Sequence, residues 1–154
     1  MQILDIKLIR TLAASLVLGA VVSACDDVTG TSAAMDVQLS ITREVRGAEA
    51  TSILPFTPQV TVKPGEIDIF GNIRTPTPCW TLSSAANESG QTITFTLTAR
   101  PTNAELCTQV ITVRDYSAAI QNVKSGTYTV RVLQQIETVD REPVELLKTT
   151  VTVP

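Results

Sequence analysis

The sequence predicts an all-β fold, a single antiparallel β-sandwich of about seven or eight strands that follows an apolar N-terminal segment. Three observations carry this. Short segments in which apolar and polar residues alternate recur at nearly even spacing between Val37 and Val153. Turn signals built from Pro, Gly, Asn and Asp separate them. No stretch of useful length shows the 3.6-residue apolar period of an amphipathic helix, and no internal repeat is present.

The N-terminal segment comes first. Lys7 and Arg10 form a short basic region interrupted only by Asp5. The apolar run from Leu12 to Val22 is too short for a hydrocarbon core, which takes about 20 residues. Small residues, Ser23 and Ala24, then lead into Cys25. This is the layout of a secretory signal with its cleavage site, and it stands apart from the fold. Val22-Ser23-Ala24-Cys25 resembles the lipobox of bacterial lipoproteins. The resemblance implies that residues 1–24 are a signal helix removed by cleavage, and that Cys25 is lipidated. The small residues would admit the peptidase to the backbone, and the thiol would be the nucleophile that takes the diacylglyceryl group. More than one acyl chain is needed for stable anchoring, and a lipoprotein carries two or three. The implied location is the bacterial cell envelope, with the chain anchored in the membrane and facing the periplasm or the cell surface. An ordinary signal peptide, or an uncleaved membrane helix, with Cys25 a bystander, is the alternative. Asp26 and Asp27 follow, and Asp there is similar to the inner-membrane retention signal of enterobacterial lipoproteins.

Without residues 1–24 the chain keeps 130 residues, enough for one domain. Of the 12 basic and 15 acidic side chains, Lys7, Arg10 and Asp5 go with the leader, leaving 10 and 14 and a net charge of −4. No basic cluster exists to follow a phosphate backbone, which argues against nucleic acid as a partner. The absence of histidine removes the commonest general base and a common transition-metal ligand. No cofactor or metal is expected. With Cys25 assigned to lipid, Cys79 and Cys107 form an even pair in an oxidising compartment, where a disulfide is the default. Such a link is worth about 3.5 kcal/mol on the chain-entropy model.

Residues 25–36 read as the lipidated cysteine and a flexible tether, small and polar in Asp26–Ala34, and residues 37–154 as the sandwich. Val37, Leu39, Ile41 and Val45 share one parity, and Arg43 is the break, as near a sheet edge. After a loop with Pro55 and Pro58, Val60 and Val62 form a short strand that stops at Lys63-Pro64-Gly65. Ile67, Ile69 and Ile73 form the next, with Gly71 on their parity marking a bulge or a close backbone approach. Thr75-Pro76-Thr77-Pro78 is an extended linker into Cys79-Trp80-Thr81-Leu82, and Ser83–Gly90 is rich in turn formers. Gln91–Ala99 is the clearest strand: Ile93, Phe95, Leu97 and Ala99 face inward, and the alternating threonines face out. Arg100–Leu106 reads as a loop. Cys107–Arg114 follows as a strand with both faces covered, because Val110 opposes Ile111 and Val113 in parity.

A hydrophobic loop from Ile120 then leads into Gly126-Thr127-Tyr128-Thr129-Val130-Arg131-Val132. That pattern resembles the late strand of immunoglobulin-like and fibronectin-type sandwiches. The resemblance implies that the Tyr128 hydroxyl bonds back to the corner of the fold. Val130 stands where the antibody pattern has its cysteine, so the resemblance is one of architecture. Thr127–Glu137 pairs with Val144–Val153 across Asp140-Arg141-Glu142-Pro143. A phase slip predicts a bulge between Leu146 and Lys148.

Few residues offer chemistry. Glu66 and Asp68 lie at alternate positions after a turn, whereas a calcium site takes about six oxygens, so they read as ordinary outward charges. Asp140 and Glu142 sit at a hairpin tip without the aromatic surroundings of a glycoside hydrolase. Asn87-Glu88-Ser89 matches a glycosylation sequon, a false positive in a bacterial lipoprotein. Trp80 is read as a core or rim residue beside the disulfide, with a carbohydrate-stacking surface position as the alternative. In a regular strand, Trp80 and the Cys79 sulfur cannot both point inward. Phe56, between Pro55 and Pro58, is the second candidate binding aromatic. The sequence therefore predicts a non-enzymatic binding or accessory module held at the membrane through Cys25, its partner an envelope protein or a glycan. The alternatives are a protease inhibitor presenting Arg74–Pro78, whose prolines stiffen the loop, and a small carboxylate-based hydrolase.

Overall fold

The computed structural model describes residues 32–154. The signal segment, the lipobox with Cys25, and the Asp26-Asp27 pair lie outside the described residues. Among the described residues nine strands and one short helix follow in order: β1 (Ala33–Met35), β2 (Val37–Arg46), α1 (Ala48–Ser52), β3 (Gln59–Lys63), β4 (Glu66–Thr75), β5 (Trp80–Ser89), β6 (Thr92–Pro101), β7 (Thr112–Gln121), β8 (Gly126–Ile136) and β9 (Val144–Val153). They form two sheets, β1-β5-β6-β8-β9 and β2-β7-β4-β3, packed face to face as a β-sandwich.

Period-two patterning decides which residues enter the core. On β6, Ile93, Phe95, Leu97 and Ala99 are all fully buried, as the alternation predicts. They meet Ile67, Ile69 and Ile73 of β4, Tyr116, Ala118 and Ile120 of β7, and Val130 and Val132 of β8 in one cluster. At about 25 cal/mol per Å² of apolar area, that cluster is the main source of stability. Gly71 on the same face is a close approach and not a bulge. It pairs with Tyr116 in unbroken register, and the phenol ring fills the space a side chain at Gly71 would take.

The first strands show how the sandwich starts. Ala33–Met35, assigned by the sequence to the tether, instead pair with Ala86–Glu88 of β5, since two small residues lie flat along that edge. At Asp36, whose carbonyl accepts the Gln121 N–H at 3.1 Å, the chain crosses to the other sheet and continues as β2. The break at Arg43 is a register shift between Ile41 and Arg43, on a strand that is a sheet edge as expected.

Three segments differ from the sequence expectation. Ser83–Gly90 is not a turn region, because β5 runs to Ser89 and pairs residue by residue with β6. Its Ser, Ala and Asn residues carry little strand propensity of their own, and pairing with the strongest strand in the chain overrides it. The strand expected over Cys107–Arg114 begins only at Thr112. It then runs to Gln121, so Ile120, expected in a loop, is core. Both faces of β7 are covered, since Val113 packs outward with Val45 and Ala50 while Tyr116 packs inward. Finally, the pairing is not wholly antiparallel: β6 and β8 run parallel. β7 leaves for the opposite sheet between them, so the chain goes up, down and up again, and the two ascending strands become neighbours.

The registers give the sandwich two poles. Ala33, the β3–β4 turn at Pro64-Gly65, the β5–β6 turn at Gly90-Gln91, the β7–β8 turn and Pro154 share one end, here the lower pole. The α1 segment, residues 53–58, the Pro76–Cys79 turn, residues 102–111 and the β8–β9 hairpin tip share the other. Ten-residue strands hold the poles about 30 Å apart.

Candidate functional site

The pocket of interest lies at the upper pole, and the outer layer of the fold builds it. β2 ends at Arg46, and Gly47 adopts φ 67° to turn the chain over the sheet, its N–H bonding to the Ile111 carbonyl at 2.9 Å. Ala50 of α1 is fully buried against Val45 and Val113. Five residues have no helical stability of their own, so this packing holds the turn in place. The chain then passes Asn72 of β4. There the Asn72 amide donates to the Leu54 carbonyl (3.3 Å), and its oxygen accepts the Phe56 N–H (3.4 Å). One side chain thus pins the proline-bearing segment at two points.

β3 pairs with β4 only as far as Gln59 opposite Phe70. Beyond it the upper part of β4 has no strand on that side, and Pro55–Pro58 stands there instead. The result is a pocket of about 400 Å³. Pro55, Phe56, Thr57 and Pro58 form one wall, with Asn72 and Arg74 of β4. Gln134 and Ile136 of β8 and Leu146 of β9 form the rest. Leu146 reaches it because of the bulge: Val132 pairs with Leu147 and Leu133 with Glu145, which leaves Leu146 without a partner. The phase slip predicts this bulge at the near end of its interval.

Two polar side chains beside Asn72 line the pocket, Arg74 and Gln134. Among the described residues Arg74 enters no ion pair. The Gln134 Oε1 is buried without a hydrogen-bond donor. Phe56, proposed from sequence as a binding aromatic, is a pocket wall and remains 45% exposed. Trp80 is elsewhere. It is half-buried and packs on the main core, the core or rim position expected of it.

Cys79 and Cys107 form the predicted disulfide, with Cα atoms 6.0 Å apart across 28 residues. Trp80 takes the inward parity of β5 with Leu82 and Ala86, and the Cys79 sulfur, on the other parity, is left to cross-link the rim. The link ties the Pro76–Pro78 turn to residues 102–111, and the Cys79 carbonyl also accepts the Thr102 N–H at 2.9 Å. Arg74–Pro78 is consequently no free loop. Arg74 and Thr75 belong to β4, Thr75 is 1% exposed, and the Pro78 carbonyl accepts a hydrogen bond from Arg114 at 2.6 Å.

Among the described residues the carboxylates do not converge on a common cleft. Glu66 and Asp68 share a cation, and it is the Lys63 ammonium, 3.0 Å from Glu66 and 2.7 Å from Asp68. The hydrogen bonds to Asp68 and Glu66 raise the Lys63 pKa above its ordinary value. Asp68, expected to face out as an ordinary charge, is only 5% exposed. Asp140 caps the β8–β9 turn by accepting the Ile136 N–H at 2.8 Å. Arg114, buried near the upper pole, donates to Glu44 at 2.5 Å. Burial alone would raise the Glu44 pKa, but the hydrogen bonds and charges of Arg114 and Arg46 hold it below the ordinary value. The Tyr128 hydroxyl makes no hydrogen bond to the corner among the described residues. Its ring instead lies against Gly126, 3.5 Å from where a Cβ would be. Among the described residues no group of three His, Cys, Asp or Glu could hold a metal, and no helix is long and apolar enough to cross a membrane.

A family model described as the ORF11 beta-sandwich domain matches residues 72–141. The matched span runs from upper β4 to the tip of the β8–β9 hairpin and includes both cysteines of the disulfide. Neither the curated proteins nor the solved structures contain a significant match to the chain. Over that span, a little under half its length, the chain is similar to a β-sandwich domain family, in agreement with its two packed sheets.

Proposed function

We propose that this chain is a bacterial envelope lipoprotein, anchored in the membrane through acyl chains on Cys25, whose sandwich is a non-catalytic binding or accessory module. Its partner is an envelope protein or a glycan. The observation that carries the reading is the polarity of the domain. The first strand residue, Ala33, is at the lower pole, and the Phe56 pocket is at the upper one. Asp26 to Ser32 is seven residues, a reach of at most about 25 Å when fully extended. A lipid on Cys25 would therefore keep the lower pole close to the membrane and turn the pocket away from it, toward a partner.

Detergent phase partition of the full-length chain expressed in bacteria tests the anchor. The wild type is expected in the detergent phase, and Cys25→Ala in the aqueous phase or uncleaved. Equal partition of the two would remove the anchor from the account.

A further inference from the structure

The side chains of the upper pocket are one-sided in what they offer a ligand. Asn72 spends both ends of its amide on the 54–56 backbone. The Gln134 Oε1 is closed off from solvent and out of a ligand's reach. Apart from the Thr57 hydroxyl, no side-chain acceptor is left. Arg74 is the one charged side chain that lines the pocket, and among the described residues it enters no ion pair. A half-buried guanidinium is a ready partner for a carboxylate, which it grips through two parallel N–H donors. The rest of the lining is apolar: Phe56, Ile136, Leu146 and the flanking prolines.

We propose that the pocket takes a monocarboxylate with an unbroken apolar body, the chemistry of a medium-chain fatty acid. The carboxylate sits on Arg74, and the chain packs on Phe56, Ile136 and Leu146. Such a ligand accepts hydrogen bonds at one end and donates none, which matches side chains rich in donors and poor in acceptors. An acidic sugar has the anion, but its hydroxyls would be buried against apolar walls, and each unpaired polar group is costly. A polypeptide end has the anion as well, but its amide N–H groups would find no free side-chain amide or carboxylate to accept them. At about 400 Å³ the pocket is at the small end of ligand sites, which favours a short chain over a long one.

This inference goes beyond the reading of the domain as a binding module, and the experiment separates the two. Octanoate is titrated onto the detergent-solubilised full chain and followed by the broadening of its methyl resonance, with empty micelles as the blank. Octanoate is expected to bind saturably, and octanamide, with the same body and no charge, about tenfold more weakly. Hexanoate should bind more weakly than octanoate by about fourfold for each methylene removed. Acetyl-alanyl-leucine and glucuronate, the chain end and the acidic sugar, should both bind more weakly than octanoate. Arg74→Gln should weaken octanoate by about tenfold and leave octanamide unchanged, whereas Leu146→Ala should weaken both. Arg141→Gln, at the hairpin tip outside the pocket, should change neither, and matching urea midpoints for all variants exclude unfolding. Equal affinity for octanoate and octanamide, indifference to Arg74→Gln, tighter binding of acetyl-alanyl-leucine or glucuronate, or no binding of any probe would overturn the proposal. In those cases, a partner still cross-linked through position 56 in cells leaves the binding module standing, and its absence removes both.

Discussion

Replacing Gly71 with alanine is expected to cost the domain about 2 kcal/mol, within the usual range for overpacking a filled core. The new Cβ would lie 2.4 Å from the Tyr116 hydroxyl oxygen, 2.6 Å from its Cζ and 2.8 Å from its Cε1. The ring has nowhere to go. Tyr116 is 2% exposed and stacks on Phe95 with ring centroids 6.4 Å apart, while Gly71 is its direct partner across the β4–β7 ladder. Either the sheet opens locally or the phenol leaves a good rotamer. Urea unfolding measures this: with a slope of about 1–3 kcal/mol/M, the midpoint should drop by about 1 M at an unchanged slope. Tyr116→Phe provides the control. Its hydroxyl is buried with no partner among the described residues, so removing it alone should be neutral or stabilising. In the Tyr116→Phe background, Gly71→Ala should still destabilise, by a smaller amount, because Cζ and Cε1 remain in the way. A Gly71→Ala midpoint equal to the parent's would refute the packing argument.

The same tyrosine predicts an alkaline limit. Burial pushes its pKa up to about 12. The unfolded chain therefore loses this proton near pH 10 while the folded chain keeps it, so stability falls from about pH 10 to 12, by up to roughly 2.5 kcal/mol. Tyr116→Phe should flatten that part of the urea profile. At the acid end, Glu44 is held below its ordinary pKa by Arg114 and Arg46, so its contribution is present above about pH 4.5 and is lost as pH falls through the folded value. Glu44→Gln should lower the midpoint at pH 7 and bring the pH 7 and pH 3 midpoints closer together. Reducing Cys79–Cys107, or replacing both cysteines with alanine, should cost about 3.5 kcal/mol in the same assay. An unchanged midpoint there would mean that the unfolded chain is already constrained by other means.

What could be read in the sequence followed from how fully each residue declared its face. Every residue of Gln91–Ala99 obeys the period of two, and every predicted inward side chain is buried. The bulge at Leu146 was legible because a phase slip has few other causes. β5 was not legible beyond Leu82, since Ser, Ala and Asn mark a turn as readily as a strand whose neighbours do the work. α1 left no periodic signal in five residues. The parallel β6–β8 pair depends on which sheet β7 joins, a choice that alternation does not encode. The pocket was half visible. Phe56 stood out as an aromatic between prolines, while Arg74, Gln134, Ile136 and Leu146 meet it only through sheet packing. The bulge was the one available signal, for it leaves Leu146 unpaired to line the pocket while Leu147 packs on the core.

The central claim is that the upper pole is the working face of a membrane-held domain, and site-specific photocrosslinking in cells tests it most directly. A photoreactive residue replaces Phe56 at the upper pole in one strain and Lys124 at the lower pole in another, in the full-length chain tagged after Pro154. The account predicts a discrete, saturable adduct from position 56 that is absent from position 124 and is lost when Cys25→Ala frees the chain. Adducts from position 124 alone, or equal and diffuse adducts from both, would contradict it.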